Sequence, residues 1–288
     1  MKVLVLGANG LLGNMVFRVL CELPELQVSG TVRRAESRAL FAPALRDKLV
    51  LVGDLEAQDV LVQLLDTTAP DVVVNCLSLD KASMKDAMRA ISVLALLPQR
   101  LGHLCALRGM RFVHISSDGV FSGLRGAYRE SDLPDAGDLY GICKLLGEVS
   151  GAHAVSLRTS LIGPDPFGGN GLLEWFLTQR ESCRCYTRAI FSGFSTLELA
   201  RIIRDVILSR PALQGVYHLA TQPISKFDLL ALVALRWDMR IEMIPDDQVA
   251  IDRSLVVERF ARETGYLAPS WPQLVDEMHS YQSGLARA

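Results

Sequence analysis

The chain has 288 residues, of which 50% are hydrophobic and 22% charged, and its 30 basic and 32 acidic side chains give a formal net charge of −2. This near-neutral composition offers no electrostatic argument for a nucleic-acid or anionic-membrane partner, and no uninterrupted apolar run approaches the ~18 residues that span a bilayer. The short apolar N-terminus is unlike a signal peptide and the six cysteines show neither C-x-x-C pairs nor zinc-site spacing, so we expect a globular protein of the reducing cytoplasm with no metal site.

The first half of the sequence alternates short β-branched runs with longer helical patterns. Strands are predicted at Lys2–Leu6, Val28–Val32, Leu49–Val52, Asp71–Cys76, Arg111–Ile115 and Ala154–Leu157, and helices at Leu11–Leu23, Glu56–Leu65, Met84–Arg108 and Asp138–Ser150. Strand and helix alternation at this spacing predicts an α/β fold, a Rossmann-type doubly wound parallel sheet with helices on both faces. In such a sheet, ligands bind outside the carboxyl ends of the strands.

The pattern changes after about Gly163. Helices are predicted at Asn170–Arg180, Thr196–Ser209 and Ser225–Leu235, a strand at Val216–Leu219, and a last short helix from Trp271. We expect residues 1–160 to form a dinucleotide-binding Rossmann domain, to which residues 195–219 return. Residues 161–288 are expected to form mainly a smaller α/β cap that binds the substrate.

A glycine-rich turn follows the first strand and opens the first helix. Its spacing is G-x-x-G-x-x-G, in which the first two glycines allow a tight turn close to a pyrophosphate and the third allows the helix to pack on the strand. The N-terminus of the helix then offers unpaired N–H groups to phosphate. A plain tight turn is the alternative, but the strand before and the helix after favour dinucleotide binding. The candidate cofactor-binding residues here are Gly7, Asn9, Gly10, Leu11, Leu12 and Gly13.

Two arginines, Arg33 and Arg34, end the second strand, where an NAD-specific site usually has an acidic residue. Guanidinium groups pair bidentately with phosphate oxygens and therefore suit the 2′-phosphate of NADPH. The alternative is that both arginines are solvated surface residues. The pair predicts a preference for NADPH over NADH.

Two further strand ends supply candidate cofactor contacts. After the third strand, Asp54 and Leu55 could meet the adenine, although Asp54 could equally be a helix N-cap. After the fourth strand, Cys76, Leu77 and Ser78 are expected to line the cofactor channel.

The fifth strand leads directly to Ser117. Tyr140 follows 23 residues later at the start of a predicted helix, and Lys144 completes a Y-x-x-x-K pattern with it. This spacing places the two side chains on one helical face, one turn apart. The pKa of a free tyrosine lies near ~10, so the phenol exchanges protons poorly at neutral pH. A lysine cation nearby is expected to lower that pKa, which makes Tyr140 a usable acid or base. The Ser117 hydroxyl is expected to hydrogen-bond the substrate carbonyl and the phenol together.

With these motifs the chain resembles the extended short-chain dehydrogenase/reductase superfamily, and within it the dTDP-4-dehydrorhamnose reductase group. The resemblance covers most of the chain and is closest across Ser116–Glu148, which is similar to the pattern S-T-D-x-V-F-x-G…Y-x-E-x-D…Y-G-x-S-K-x-x-G-E. It implies reduction of a 4-keto-6-deoxy sugar linked to a nucleoside diphosphate, in deoxysugar and polysaccharide biosynthesis. It also implies roles by position: Ser117 polarises the 4-keto oxygen, Tyr140 donates the proton as NADPH delivers hydride to C4, and Lys144 holds the nicotinamide ribose.

Several residues depart from the family pattern. Ser117 replaces a threonine, Gly119 stands where a bulkier residue often lines the sugar pocket, and Leu94 occupies the position of an asparagine that precedes the helix proline. Asp118-Gly119 also lacks the second carboxylate of the related 4,6-dehydratases, and Gly119 lies at the cysteine position of the epimerase-reductases. These departures leave the sugar undefined and argue against dehydration and epimerisation.

Substrate contacts are less well marked by the sequence. The candidates are Ser117, Asp118, Gly119, Arg158, Asn170 and Arg188, with Arg184 as a further arginine. Arg158 contacts a diphosphate or pairs with an acid; Asn170 meets the nucleotide or simply opens a helix. His114 and His218 lie within apolar strands and are expected to be packed core histidines.

Two other functions occur among similar proteins. Relatives of this reductase group serve as non-catalytic, NADP-binding regulatory subunits of methionine adenosyltransferase, and others in the superfamily are nucleotide-sugar epimerases. Retention of Ser117, Tyr140 and Lys144 together favours the reductase, because a pure binding protein needs no such triad. The expected partner is a nucleotide sugar, and a homodimer is compatible with the sequence.

Overall fold

The structure is a computed structural model that describes residues 1–79, 83–166, 168 and 171–285. Its strands are β1 (Lys2–Leu6), β2 (Gln27–Val32), β3 (Leu49–Leu51), β4 (Val72–Asn75), β5 (Arg111–Ile115), β6 (Ala154–Arg158), β7 (Leu161–Ile162), β8 (Ser182–Tyr186), β9 (Ala189–Phe191), β10 (Phe194–Ser195), β11 (Gly215–His218), β12 (Ile224–Ser225), β13 (Glu242–Asp246) and β14 (Ile251–Asp252). Its α-helices are α1 (Leu11–Cys21), α2 (Pro43–Arg46), α3 (Gln58–Thr68), α4 (Ala87–Ile91), α5 (Leu97–Leu107), α6 (Leu139–Leu146), α7 (Leu172–Leu177), α8 (Thr196–Ile202), α9 (Lys226–Arg236), α10 (Glu258–Thr264) and α11 (Trp271–Leu285).

Within the described residues, seven parallel strands form the main sheet in the order β11-β6-β5-β4-β1-β2-β3. The strand order reverses between β1 and β4, and this switch point is where a doubly wound sheet opens a crevice for a ligand. The register aligns the ends of neighbouring strands, with Leu6 opposite Asn75 and Asn75 opposite His114. The predicted Rossmann-type fold is confirmed.

Helices cover both faces of the sheet because its central strands are buried on both sides. Successive residues of β1 show this: Val5 packs into the core layer that includes α1 and α8, whereas Leu4 packs into the layer that includes α3 and α5. The strands therefore read as continuous apolar runs in the sequence.

The helical stretch predicted at Met84–Arg108 is present as α4 and α5, joined by a π-helical segment at Ser92–Leu96. Pro98 has no N–H to give the Leu94 carbonyl, which accounts for a local break in the regular bonding. A methyl group at Gly147 would lie 2.2 Å from that carbonyl oxygen, so the chain after α6 approaches the break closely. The continuous helix Ala87–Leu107 has 21 residues and a mean hydropathy of 1.4, which is long and apolar enough to cross a membrane, but half of it is buried inside the fold, as in core helices of other proteins.

The second half of the chain contributes to the main sheet and also builds smaller sheets. The predicted strand at Val216–Leu219 is β11, which lies beside β6 at the edge of the main sheet. Strands β8 and β13 pair in parallel, and β9 pairs with β12 and β14. These small pairings were not predicted, and the division of the chain into two domains stays a prediction.

Candidate active site

A cavity of about 550 Å³ lies at the carboxyl ends of the main-sheet strands. It extends from the ends of β2 and β3, past the glycine-rich turn, to the N-terminal part of α6. Its lining includes the predicted residues Gly7, Asn9, Gly10, Leu11, Leu12, Arg33, Asp54, Leu55, Cys76, Leu77, Ser78, Ser117, Tyr140 and Lys144. The cofactor and catalytic candidates are thus brought to one continuous cavity.

The glycine-rich turn is held against the end of β2. Gly7 has a φ of +78°, a conformation that side-chain-bearing residues rarely adopt, and its N–H donates to the Thr31 hydroxyl over 3.0 Å. Gly13 does not line the cavity; a methyl group there would lie 2.1 Å from the Gly7 carbonyl oxygen. The N-cap residue of α1, Gly10, offers no side-chain acceptor, so the first N–H groups of this helix stay available to an anion.

The two arginines at the end of β2 differ in position. Both are exposed and neither forms an ion pair in the described part of the chain, but only Arg33 lines the cavity. A 2′-phosphate at this end of the cavity would therefore meet Arg33, whereas Arg34 lies outside the lining.

The ends of β3 and β4 contribute polar groups to the same wall. The Asp54 carboxylate accepts the Glu56 N–H over 2.9 Å, and α3 begins beyond it with Ala57 as N-cap, so Asp54 does not cap that helix. Below the cavity, the Asn75 side chain hydrogen-bonds His114 Nδ1 over 3.1 Å and accepts the Leu77 N–H. His114 is buried, as expected for a core histidine, and burial lowers its pKa well below the usual value.

Tyr140 and Lys144 lie one turn apart on α6, beside Ser117 at the end of β5. The carboxylate of Asp138 caps α6 by accepting the Gly141 N–H over 2.8 Å, which fixes where the helix begins. Lys144 Nζ donates to the Ile115 carbonyl over 3.0 Å and is buried. These contacts fix the start of α6 and the position of the Lys144 side chain.

The ionisation of Tyr140 differs from the expectation. Burial raises the pKa of Tyr140, although the nearby hydroxyl groups of Ser117 and Ser78 favour the phenolate. The sequence analysis instead predicts that Lys144 lowers this pKa. Burial also lowers the pKa of Lys144 to about 8. Tyr140 therefore keeps its proton at neutral pH, which is the state a proton donor needs.

Two glycines bring α6 into direct contact with the turn Asp118–Val120, which follows β5. A methyl group at Gly141 would lie 2.1 Å from the Gly119 carbonyl oxygen, and one at Gly119 would lie 3.1 Å from both Ser117 Oγ and the Tyr140 ring. Gly119 is buried behind these side chains and is not among the described residues that line the cavity. The missing side chain at Gly119 thus allows the Tyr140 ring to lie close to Ser117.

The candidate arginines Arg158, Arg184 and Arg188 do not belong to the described cavity lining. Arg158 pairs bidentately with Glu148 over 2.7 and 2.8 Å, and both side chains are less than 10% exposed. Of the two alternatives for Arg158, pairing with an acid is the one found. Arg188 is exposed, and Arg184 is exposed with its guanidinium 3.8 Å from Asp246.

Asn170 and Asp118 are the other two substrate candidates. Asn170 lies outside the described residues. Asp118 directs its carboxylate to the Ser117 hydroxyl, 3.2 Å away, and does not belong to the described cavity lining.

Several lining residues were missed by the sequence analysis. They are Thr31, Arg89, Val93, Leu97, Thr159, Ser160 and Asp165, among others. Arg89, Val93 and Leu97 are spaced four residues apart, so helical periodicity alone places them on one face. Nothing in that periodicity indicates that this face meets a cavity rather than the core.

The family model described as "RmlD substrate binding domain" matches residues 1–263. The dTDP-4-dehydrorhamnose reductase of Burkholderia thailandensis is 33% identical over 176 residues, which cover 56% of this chain and about half, 50%, of that relative. The methionine adenosyltransferase 2 subunit beta of Xenopus tropicalis is 27% identical, with 96% of this chain and 89% of that protein covered.

Solved structures show the same fold. A crystal structure of dTDP-4-dehydrorhamnose reductase from Bacillus anthracis in complex with NADP superposes with a TM-score of 0.79 at 23% identity, and covers 97% of this chain and 99% of that one. At this identity the likeness establishes the architecture alone.

Proposed function

Because this chain belongs to the RmlD substrate binding domain family, we propose that it is an NADPH-dependent reductase of a 4-keto-6-deoxy sugar linked to a nucleoside diphosphate. The observation that carries the proposal is that Ser117, Tyr140 and Lys144 lie on the wall of the same cavity as the glycine-rich turn. A cofactor that contacts the glycine-rich turn and reaches Lys144 would have its nicotinamide end beside the proton donor, Tyr140. The similarity to the Burkholderia reductase supports the same activity.

The cavity has the features that NADPH requires. The turn at Gly7 brings bare backbone to the cavity, the N-terminus of α1 offers N–H groups to the pyrophosphate, and Arg33 offers a guanidinium to the 2′-phosphate. Asp54 and Leu55 would lie beside the adenine, and the Lys144 ammonium would hold the nicotinamide ribose. The absence of an acidic residue at the end of β2 favours NADPH over NADH.

The residues of this chain supply the proton and the polarisation of the carbonyl group. When bound, NADPH supplies a hydride to the carbonyl carbon. Tyr140, held in its protonated form by burial, donates the phenolic proton to the carbonyl oxygen. The Ser117 hydroxyl hydrogen-bonds that oxygen, and the Lys144 cation stabilises the phenolate that remains.

The sugar would lie beyond the catalytic residues, next to Thr159 and Ser160. Both side chains belong to the segment after β6, and both line the cavity. Small hydroxyl side chains can donate to or accept from sugar hydroxyls.

The test is oxidation of NADPH, followed by absorbance, with dTDP-linked 4-keto-6-deoxyhexoses as substrates. We expect turnover by the wild-type protein, and a loss of kcat by about 10²–10⁴-fold in Tyr140→Phe, which keeps the ring and removes the proton. NADPH binding by Tyr140→Phe, measured by fluorescence, should match the wild type. Turnover by Tyr140→Phe at the wild-type rate would refute the assigned proton donor.

A second candidate is a non-catalytic NADP-binding regulatory subunit, which is favoured by the alignment with the Xenopus methionine adenosyltransferase subunit across 96% of this chain. It predicts NADPH binding without turnover of any keto sugar. It also predicts co-elution with a methionine adenosyltransferase catalytic subunit in size-exclusion chromatography. The reductase predicts turnover and no such complex.

A further inference from the structure

Asp118 follows Ser117 at the carboxyl end of β5, and the two side chains are hydrogen-bonded. Ser117 Oγ donates to Asp118 Oδ1 over 3.2 Å and accepts the Gly119 N–H over 3.0 Å. A hydroxyl group carries a single proton. While that proton is donated to Asp118, it is not available to the carbonyl oxygen of a substrate.

Charged and polar groups from several elements surround the Asp118 carboxylate. The Arg253 guanidinium approaches it from the loop after β14, and the hydroxyl groups of Ser117 and Ser160 hydrogen-bond it. Arg253 Nη2 is also 3.5 Å from Asp138 Oδ2, at the start of α6. Within the described residues, the buried Nε of Arg253 has no hydrogen-bond partner, so this cation is not fixed in a bidentate pair.

The charge of Asp118 acts on both groups that would contact the substrate oxygen. Burial raises the pKa of Asp118 to about 6, while Arg253 and the two hydroxyl groups oppose this rise. In its ionised form Asp118 also raises the pKa of Tyr140 through their electrostatic repulsion. The carboxylate form thus retains the Ser117 proton and makes Tyr140 a weaker acid.

We propose that Asp118 is a positioning residue whose protonation turns the Ser117 hydroxyl toward the substrate carbonyl, an inference that rests on the proposed reductase function. In the protonated form, the Asp118 O–H donates to Ser117 Oγ, and the Ser117 proton is released for a hydrogen bond to the carbonyl oxygen. In the carboxylate form, Asp118 accepts the Ser117 proton instead. Protonation of Asp118 takes up one proton from solvent, and Asp118 keeps this proton through the reaction. The proton that ends on the product oxygen comes from Tyr140.

The first test is the pH profile of kcat/KM with NADPH and a dTDP-linked 4-keto-6-deoxyhexose. The wild-type value should fall as the pH rises through the Asp118 transition and level off above it. In Asp118→Asn the amide N–H donates to Ser117 at every pH, so this transition should vanish and the activity at pH 8 should exceed that of the wild type. Persistence of the transition in Asp118→Asn overturns the proposal, and so does inactivity of the variant at every pH, which would mean that the carboxyl group itself is required.

The second test needs no substrate. Carbon-13 NMR of the aspartate carboxyl groups should show one resonance that titrates near pH 6 and is absent from Asp118→Asn. Arg253→Gln should move that titration to higher pH, because it removes the cation that favours the carboxylate; Arg188→Gln, at an exposed arginine, should not move it. A resonance that is unaffected by Arg253→Gln overturns the assignment of Arg253 to this network.

The two experiments separate this inference from the proposed function. A protein that turns over no keto sugar contradicts the reductase, even where the NMR titration is seen. Turnover of a keto sugar without a transition linked to Asp118 contradicts the positioning role alone. Thermal melts of Asp118→Asn and Arg253→Gln, compared with the wild type, show whether each variant is folded.

Discussion

The ionisation of single residues at the cavity depends on the fold and is not predicted by sequence patterns alone. Tyr140 and Lys144 were predicted by their spacing, but the direction of the Tyr140 pKa shift was not. That direction depends on how much water the folded chain removes from the phenol, and this desolvation comes from residues far apart in the sequence. Spacing therefore predicts which groups meet, and burial decides how they ionise.

Substitutions of Arg33 and Arg34 test the preference for NADPH over NADH. Both are exposed arginines at the end of β2, but only Arg33 lines the cavity. Arg33→Gln should raise the KM for NADPH by about 10- to 100-fold, the size of a lost charge-assisted hydrogen bond. It should leave the KM for NADH nearly unchanged, since NADH has no 2′-phosphate.

Arg34→Gln is the control for that prediction, with an expected change of about twofold or less, as for most surface substitutions. The measurement is steady-state kinetics with each cofactor. A larger effect of Arg34→Gln than of Arg33→Gln would place the 2′-phosphate on the other side of the strand end.

Arg158 offers a second residue-scale comparison, with Arg184. Arg158→Met leaves the buried Glu148 carboxylate with the Ser116 hydroxyl but without its cation, so the free energy of unfolding should fall by about 3–5 kcal/mol. Arg184→Met removes an exposed arginine 3.8 Å from Asp246 and should cost less than about 1 kcal/mol. Urea denaturation measures both. An Arg158→Met variant with unchanged stability but a raised KM for the sugar nucleotide would instead support a diphosphate contact.

At the scale of elements, the contact between α6 and the turn Asp118–Val120 after β5 sets the catalytic geometry. Gly141 approaches the Gly119 carbonyl so closely that a methyl group would lie 2.1 Å from the oxygen. Gly141→Ala should therefore displace α6 and with it Tyr140. A displacement near 1 Å costs about 10²-fold in rate, so kcat should fall by that order.

Gly137, in the loop just before α6, is the matched control. A methyl group there would meet no atom within 4 Å, so Gly137→Ala should keep the wild-type kcat. Steady-state kinetics with saturating NADPH compares the two variants. Equal activity of Gly141→Ala and the wild type would show that α6 tolerates the displacement.

The elements also show how far sequence patterns predict this fold. The strands β1 and β5 were predicted at their observed bounds because buried, β-branched runs flanked by loops are clear signals. Strand β8 was missed because its buried positions are cysteines between polar residues, and β13 because it contains Pro245 and two acidic residues. These two strands exist through their pairing with each other, and no local pattern reports that pairing.

At the scale of the whole molecule, two buried histidines couple folding to pH. His114 and His218 are both about 1% exposed or less, and burial lowers the pKa of each. For His218 the pKa falls to about 3, and the Arg158 guanidinium, 3.4 Å from its Nε2, adds to the shift. Both side chains are therefore neutral in the folded protein at neutral pH.

A histidine held neutral in the folded state destabilises the fold in acid, because the unfolded chain binds a proton that the folded chain does not. The unfolded pKa is near ~6.5, so the stabilisation is fully present above that pH and is lost as the pH falls toward about 3. Between these values each such histidine contributes a slope of about 1.4 kcal/mol per pH unit to the free energy of unfolding. Asp118 acts in the opposite direction between about pH 4 and 6, because its folded pKa is raised.

We predict that His218→Gln flattens the pH dependence of stability. The free energy of unfolding, measured by urea denaturation from pH 7 to pH 4.5, should fall less steeply in His218→Gln than in the wild type. The difference between the two slopes should correspond to the uptake of about one proton on unfolding. The exposed His103 on α5 is the control, and His103→Gln should keep the wild-type slope. The comparison stays decisive even when His218→Gln lowers stability at pH 7, because the slope rather than the absolute value reports the titration. Parallel slopes for His218→Gln and the wild type would mean that other groups account for the acid sensitivity of this fold.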